Sequence, residues 1–365
     1  MDYKQKLKFH YKPKKGWIND PNGLVEYKGQ YHLFYQHSPN CEAPWYEPMH
    51  WGHAVTKDFV SFTELPIALY PDMPYDKDGV WSGTAIVSGD VLYLFYASVA
   101  KDGQGNSIQS VSMAYSTDGI NFTKCDANPI IKTFPVDGSK DFRDPAVTKI
   151  GNDYYLVIAS GDVSKKTANL LLYTSSNLIN WDYLGVLAEW QDCIYCECSS
   201  IMQFGDKLLV STSVCKKDSH YFSIMLGDFI DNKFTVNTSA FIDKGPDQYA
   251  GQIFKDTKNR CILISWVSGW AYANFTDNNI GCMSLPKEIL LKDGKIVAYP
   301  IKEVQGYLSD SDTNLKLTKD GFIVKRTNRT PVVYKGKIND LSVVKDGYVL
   351  EVFINGGEEV YTAVL

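Results

Sequence analysis

Three acidic residues carry the most chemistry in this sequence. Asp20 sits in WINDPNG (Trp17 to Gly23), Asp144 in FRDPA (Phe142 to Ala146) and Glu197 in CECSS (Cys196 to Ser200). Each stands seven to nine residues before a glycine that opens an apolar run, namely Gly29, Gly151 and Gly205. Ser82, in WSGTA, precedes Gly89 by seven, and Tyr249, in DQYAGQ, precedes Asn259 by ten. Equivalent positions in successive copies of a repeat point to one place. Three carboxylates are therefore expected to converge, beside Trp, Tyr and Arg. Two facing carboxyl groups are the machinery of glycoside hydrolysis: one attacks or activates water, and the other, protonated, releases the leaving oxygen. Repulsion and partial burial push such carboxyls up toward the range an acid needs. Taken singly, Asp20 before Pro21 and Asp144 before Pro145 would read equally well as turn caps. The shared phase favours chemistry.

Metal binding is the competing use of such residues. Cys193, Cys196 and Cys198 form C-x-x-C-x-C, but no second spaced pair follows to complete a zinc pattern. His50 and His53 in HWGH are three apart, which on a strand turns them to opposite sides. The expectation is no metal and no cofactor.

These residues need elements to hold them, and a repeat supplies the elements. GQYHLFYQ, GDVLYLFY, GNDYYLVI, GDKLLVST and, more loosely, NRCILISW begin at Gly29, Gly89, Gly151, Gly205 and Asn259. Each run is short and rich in β-formers, so each predicts a buried strand. A second pattern sets Asp58, Asp118 and Asn177 four residues before Phe62, Phe122 and Trp181, as suits a corner between two outer strands. Five units of roughly 55 residues, each with several strands, predict an all-β chain: a five-bladed β-propeller over residues 1–299. The pattern stops near Pro300. Residues 300–365 hold two strand-like runs around Asn355-Gly356-Gly357, a hairpin in an abbreviated β-sandwich-like domain.

Charge and composition narrow the partners. Lys plus Arg is 37 and Asp plus Glu is 42 in 365 residues, a balance unsuited to nucleic acid. No apolar stretch approaches the ~18 residues of a membrane span. The basic start, MDYKQKLKFHYKPKKGW, lacks an apolar core for export, so the reading is cytoplasmic, with eight reduced cysteines. The 24 Tyr, 17 Phe and 8 Trp offer flat faces for sugar rings, with Trp45, Trp81 and Trp270 the better subsite candidates. Lys165-Lys166 and Lys216-Lys217 read as solvated loops, or as contacts for a sugar phosphate. Oligomeric state is not legible.

WINDPNG, FYQ, HWGHAVTKD, YDKDGVWSGTA, RDP and EC, in this order and at these separations, closely resemble glycoside hydrolase family 32, the invertases and fructan hydrolases. The resemblance implies a retaining β-fructofuranosidase acting on sucrose, sucrose 6-phosphate or short fructo-oligosaccharides. It implies Asp20 as nucleophile, Glu197 as general acid/base and Asp144 as transition-state stabiliser. Asn19, Gln36, Trp45, Trp81, Ser82 and Arg143 match positions lining the fructosyl pocket, with Tyr249 and Trp270 as wall residues. Three departures stand out: Ile18 where Met is frequent, SGT for SGS, and Ser199 where Pro usually follows EC. Open alternatives are an exo-acting fructan hydrolase, an arabinoside-acting glycosidase and a non-catalytic sugar-binding propeller.

Overall fold

The structure is a computed structural model describing residues 6–41, 47–162, 165–217, 219–268 and 281–365. The chain is all-β, and it builds antiparallel sheets in sequence order. The first contains β1 (Trp17–Tyr27), β2 (Gln30–Ser38), β3 (His50–Thr56) and β4 (Phe62–Leu69). The second contains β5 (Gly79–Ser88), β6 (Val91–Lys101), β7 (Ser107–Ser116) and β8 (Thr123–Lys124). The third contains β9 (Arg143–Ile150), β10 (Asp153–Asp162), β11 (Thr167–Ser175) and β12 (Asp182–Gln191). The fourth contains β13 (Tyr195–Phe204), β14 (Lys207–Cys215), β15 (His220–Ile230) and β16 (Lys233–Ile242). The fifth runs β17 (Gln248–Lys255), β18 (Cys261–Val267), β20 (Lys287–Lys292), β21 (Lys295–Pro300), with the short β19 (Cys282–Met283) also on β18. The five apolar runs of the repeat are the second strand of each sheet, and the chemistry-bearing segments are the first.

The first strands of successive sheets touch in order, and β17 touches β1. Apolar cores fill the spaces between neighbouring sheets. Phe34, Trp51 and Leu94 join the first two, Phe95, Leu156 and Leu171 the next, and Leu170, Val210 and Met225 the next. Leu209, Phe222 and Leu263 join the fourth and fifth sheets, and Leu33, Tyr35, Ile262 and Ile264 return from the fifth to the first. Each such buried side chain is worth about 1.5–3 kcal/mol. The corners follow the second sequence pattern. Asp58, Asp118 and Asn177 each accept two backbone N–H groups between the third and fourth strands, with Phe62, Phe122 and Trp181 packed inward.

After β21, a turn of 3-10 helix at Lys302–Tyr307 leads to two further sheets. One holds β22 (Leu315–Thr318), β23 (Gly321–Val324) and β24 (Val332–Lys335); the other holds β25 (Leu341–Asp346), β26 (Val349–Ile354) and β27 (Glu359–Val364). Phe322, Val324, Leu350 and Val352 pack between them. The predicted hairpin joins β26 to β27, with Asn355, Gly356 and Gly357 all at positive φ. No helix of the described residues is long and apolar enough to cross a membrane.

A buried charge cluster ties this unit to the start of the chain. His10 Nδ1 and Nε2 lie 3.0 Å from Asp346 and 3.0 Å from Glu351, and Lys287 Nζ lies 2.6 Å from Glu351. Asp346 also accepts the backbone N–H groups of Lys8, Phe9 and His10. Burial works against all three ionised groups, but the partners win. Lys287 and His10 hold Glu351 down at about 2, His10 and the backbone donors hold Asp346 at about 2, and the two carboxylates raise His10. The carboxylates therefore stabilise the fold above their ordinary values and lose that contribution as pH falls toward 2. His10 contributes fully below its ordinary value and loses its share as pH rises through its raised one. The excess thermal stability of wild type over His10→Gln should thus peak between roughly pH 4 and 6.5 and shrink on both sides. Unfolding curves across pH check this, and a difference independent of pH would contradict it.

Candidate active site

The first strand of each of the first five sheets carries a β-bulge near its start, and the candidate residues sit on or beside those bulges. β1 pairs Ile18 with His37 and then Pro21 with Tyr35, so Asn19 and Asp20 stand opposite Gln36 alone. β5 leaves Ser82 extra between the Trp81–Ala97 and Gly83–Tyr96 pairs. β9 leaves Asp144 and Pro145 opposite Ile158, and β13 leaves Cys198 and Ser199 opposite Thr212. β17 leaves Ala250 and Gly251 opposite Ser265. A bulge breaks the ladder and re-aims the side chains beside it. Three of these positions adopt left-handed backbone without being glycine: Asp144 (φ 58°), Cys198 (φ 52°) and Ala250 (φ 54°). Gly83 is required by space, since a Cβ there would stand 1.9 Å from the Phe95 carbonyl oxygen.

The expected equivalence of phase needs refinement. Glu197, Arg143 and Tyr249 are the last paired residues before their bulges, Asp144 is the first bulge residue, and Asp20 is the second. Convergence comes from the bulges, not from identical register.

The result is a cavity of about 340 Å³, the size of a small-ligand site. Asp20, Asp144 and Glu197 line it with Asn19, Gln36, Trp81, Ser82 and Arg143. Asp20 receives three side-chain donors: Ser82 Oγ at 2.6 Å, Asn19 Nδ2 at 3.2 Å and the Cys198 thiol at 3.2 Å. Trp17 Nε1 in turn donates to Asn19 Oδ1 at 2.8 Å. Burial and the neighbouring Glu197 nevertheless push Asp20 up from the ordinary carboxylate range. Glu197 accepts the Tyr249 hydroxyl at 2.5 Å on one oxygen and Arg143 Nη2 at 3.0 Å on the other. Arg143 Nη1 donates to Asp141 at 2.7 Å. Asp144 accepts the Cys198 backbone N–H at 2.7 Å, and burial pushes its carboxyl up to about 7 against the pull of Arg143. Gln36 Nε2 donates to the Val80 carbonyl, and Trp51 Nε1 to that of Trp81, each at 3.0 Å.

Tyr249 touches Glu197 from behind rather than lining the cavity. Trp45 and Trp270 lie outside the described residues. Four residues escaped the sequence reading. Gln109, Asp141 and Tyr195 line the cavity, and the Cys198 thiol faces Asp20. Asp141 was two residues from a chosen Arg, the one signal available. Tyr195 lies under the Arg143 guanidinium, 5.6 Å from its ring centre.

Ser199, where the resembling family usually has Pro, does not loosen the Glu197 strand. Its hydroxyl donates to Thr212 Oγ1 at 3.1 Å, and Thr212 donates to the Glu197 carbonyl at 3.0 Å.

The alternative metal motifs come apart. Cys193 turns to the Gln191 carbonyl, Cys196 to that of Asn169 and Cys198 to Asp20. His53 Nε2 meets His32 Nδ1 at 3.0 Å, whereas His50 packs edge-on to Tyr70. Gln252 bonds to the Gly83 carbonyl and Thr84 to that of Pro145, linking first strands across sheets. A second space of about 260 Å³ beyond them is lined by residues such as Val25, Ile86, Val147 and Ile201.

The pattern of the glycosyl hydrolases family 32 N-terminal domain matches residues 10–300. The chain belongs to glycosyl hydrolase family 32. A sucrose-6-phosphate hydrolase of Zymomonas mobilis subsp. mobilis is 35% identical over 321 residues, covering 81% of this chain and 62% of that protein. A levanase of Bacillus subtilis is 34% identical over 333 residues, covering 81% and 47%. This family 32 chain thus spans less than two thirds of the length of such curated relatives. Among solved structures, a β-fructofuranosidase of Bombyx mori matches with TM-score 0.86 at 27% identity, over 100% of this chain and 90% of that one. A mutant of the Bombyx mori enzyme, solved in complex with sucrose, matches at TM-score 0.84, 27% identity and the same two coverages.

All eight cysteines are free, and five of them are buried. Burial and Asp20 raise the Cys198 thiol well above its ordinary value, so it is not a thiolate at neutral pH. Native protein should show at most three rapidly reacting thiols, from Cys41, Cys125 and Cys215, and eight after denaturation without reductant. Titration with a thiol reagent counts them; fewer than eight would reveal a disulfide.

Proposed function

We propose that this family 32 protein is a retaining β-fructofuranosidase that hydrolyses the fructosyl bond of sucrose, sucrose 6-phosphate or short fructo-oligosaccharides. The observation that carries the reading is the pairing of two differently held carboxylates over one cavity. Asp20 is fixed by three donors with its face to the cavity, and Glu197 is set between Tyr249 and Arg143. The sucrose-6-phosphate hydrolase, levanase and β-fructofuranosidase relatives support the same substrate class.

In this reading Asp20 attacks the anomeric carbon of the fructosyl unit while Glu197 gives its proton to the departing oxygen. A fructosyl ester on Asp20 results. Glu197, now a carboxylate, takes a proton from water, whose oxygen displaces Asp20 and restores both groups. Asp144 holds fructose hydroxyls with its free oxygen, and Arg143 keeps the acidic cluster in place. Asn19, Gln36, Trp81 and Ser82 shape the fructosyl pocket. No cofactor enters the cycle.

The five sheets, each with its bulge at the same end, are read as the blades of a five-bladed β-propeller over residues 1–299. Residues 300–365 are read as part of a β-sandwich-like domain. Eight unpaired thiols support a reducing, cytoplasmic setting. A second reading, exo-acting hydrolysis of fructans, is favoured by the levanase relative. Turnover of sucrose, sucrose 6-phosphate, kestose and inulin side by side separates the two.

Asp20→Asn should fold normally and lose nearly all turnover, since an amide forms no ester; a tenth of wild-type activity would refute the nucleophile. Glu197→Gln should slow sucrose hydrolysis by ~10²–10⁴-fold, and less for a substrate with a better leaving group. Equal loss on both would remove Glu197 from the proton path. Ser82 stabilises the charged form of Asp20, so Ser82→Ala should raise the pKa of Asp20. The acid limb of kcat/KM should then move to higher pH. An unmoved limb would mean that Asp20 is not the group titrating there.

A further inference from the structure

The connector between β16 and β17, which delivers Tyr249 to Glu197, is gripped along its length by the last strand, β27. The Lys244 N–H donates to the Val360 carbonyl at 2.8 Å. Asp243 accepts both the N–H of Thr362, at 2.8 Å, and its hydroxyl. Gly245 lies so close to Thr362 that a Cβ would stand 2.1 Å from its carbonyl oxygen. Asp247 accepts the Val364 N–H at 2.7 Å and Arg326 Nη2 at 2.5 Å. Arg326 Nε closes the arrangement on the Val364 carbonyl at 2.7 Å. The Arg326 and Asp247 side chains are 4% and 1% exposed, so this is a dry ion pair, held by backbone groups as well.

Two residues further on stands Tyr249, whose hydroxyl meets Glu197 at 2.5 Å. Between them Gln248 is pinned by its amide to Ser265 Oγ at 2.8 Å, and the Asp247 carbonyl receives the Ser268 N–H at 2.9 Å. Ala250, directly after Tyr249, is in the left-handed region. A backbone strained on one side of Tyr249 needs a fixed point on the other, or the strand start relaxes. The Arg326–Asp247 pair is that fixed point.

We propose that Arg326 and Asp247 are positioning residues for the acid: the C-terminal unit sets the Tyr249–Glu197 contact by clamping the start of β17. This rests on the reading of Glu197 as general acid/base. It gives the C-terminal unit a part in turnover as well as in folding. Arg326 is not among the residues that line the cavity. Its effect reaches Glu197 through Tyr249, while Arg143, Asp20 and Asp144 face Glu197 from other strands and are untouched by it.

The test is a double-mutant cycle on the full chain, with sucrose and kestose as substrates. Arg326→Met should lower kcat by about 10- to 100-fold, the scale of a misplaced catalytic group, with KM little changed. In a Tyr249→Phe background the same substitution should change kcat by much less, because the contact it serves is gone. Arg326→Lys, which keeps the charge but not the fork onto Asp247 and Val364, should fall between wild type and Arg326→Met. Multiplying effects in the cycle, or a change confined to KM, would overturn the proposal. Arg326→Met takes the cation away from buried Asp247, so it can fail to fold. In that case Arg326→Lys alone decides: wild-type kcat refutes the clamp, and a reduced kcat silenced by Tyr249→Phe supports it. Wild-type protein inert on both sugars would instead refute the hydrolase reading itself.

Discussion

The site depends on one local constraint, the extra residues inserted into the first strand of each of the five sheets that precede residue 301. A regular ladder would alternate Glu197, Asp144 and Asp20 between the two faces of their sheets. The bulges at Asn19-Asp20, Ser82, Asp144-Pro145, Cys198-Ser199 and Ala250-Gly251 instead turn them to the common axis. The cost is left-handed backbone at Asp144, Cys198 and Ala250, of order 1–3 kcal/mol each. The surroundings must over-determine those conformations. They do so with the Cys198 N–H on Asp144, the Thr212 hydroxyl on the Glu197 carbonyl, and the clamp ahead of Tyr249.

Three carboxylates on one axis also set the electrostatics. Burial, reinforced by the like charge of neighbouring carboxylates, holds Asp20 and Asp144 above the ordinary range. Arg143 is the opposing charge. It is spread over Glu197 and Asp141 and backed by the Tyr195 ring. Neutral donors do the rest, so Asp20 is oriented by a hydroxyl, an amide and a thiol rather than by a cation. Those donors fix its direction without neutralising it.

Much of this was legible in the sequence, and the limits were physical. Strand order followed from apolar runs because burial on both faces leaves an uninterrupted signature, as in LYLFY. The corners at Asp58, Asp118 and Asn177 followed from side chains that bond their own backbone. The three acids stood out because their spacing repeats. Bulges leave no such trace. Whether a strand carries one extra residue depends on its partner's register, so the different ranks of Asp20, Asp144 and Glu197 within their bulges were hidden. Gln109 and Tyr195 were hidden for a related reason: each sits in an ordinary strand context and reaches the cavity only once neighbouring sheets are docked. His10, Lys287, Asp346 and Glu351 look like surface charges until chain segments 336 and 341 residues apart meet.

That long-range meeting bears on the order in which the protein assembles. Each four-stranded sheet is a run of hairpins, so its loops close at small entropic cost and it can form as soon as it is synthesised. Two junctions cannot. The N-terminal segment waits for Asp346 and Glu351, and the start of β17 waits for Thr362 and Val364. A ribosome that has released all five sheets but not β27 therefore holds a chain with its three acids roughly gathered and its Tyr249 strand unanchored. β27 is thus the strand whose arrival anchors Tyr249 beside Glu197.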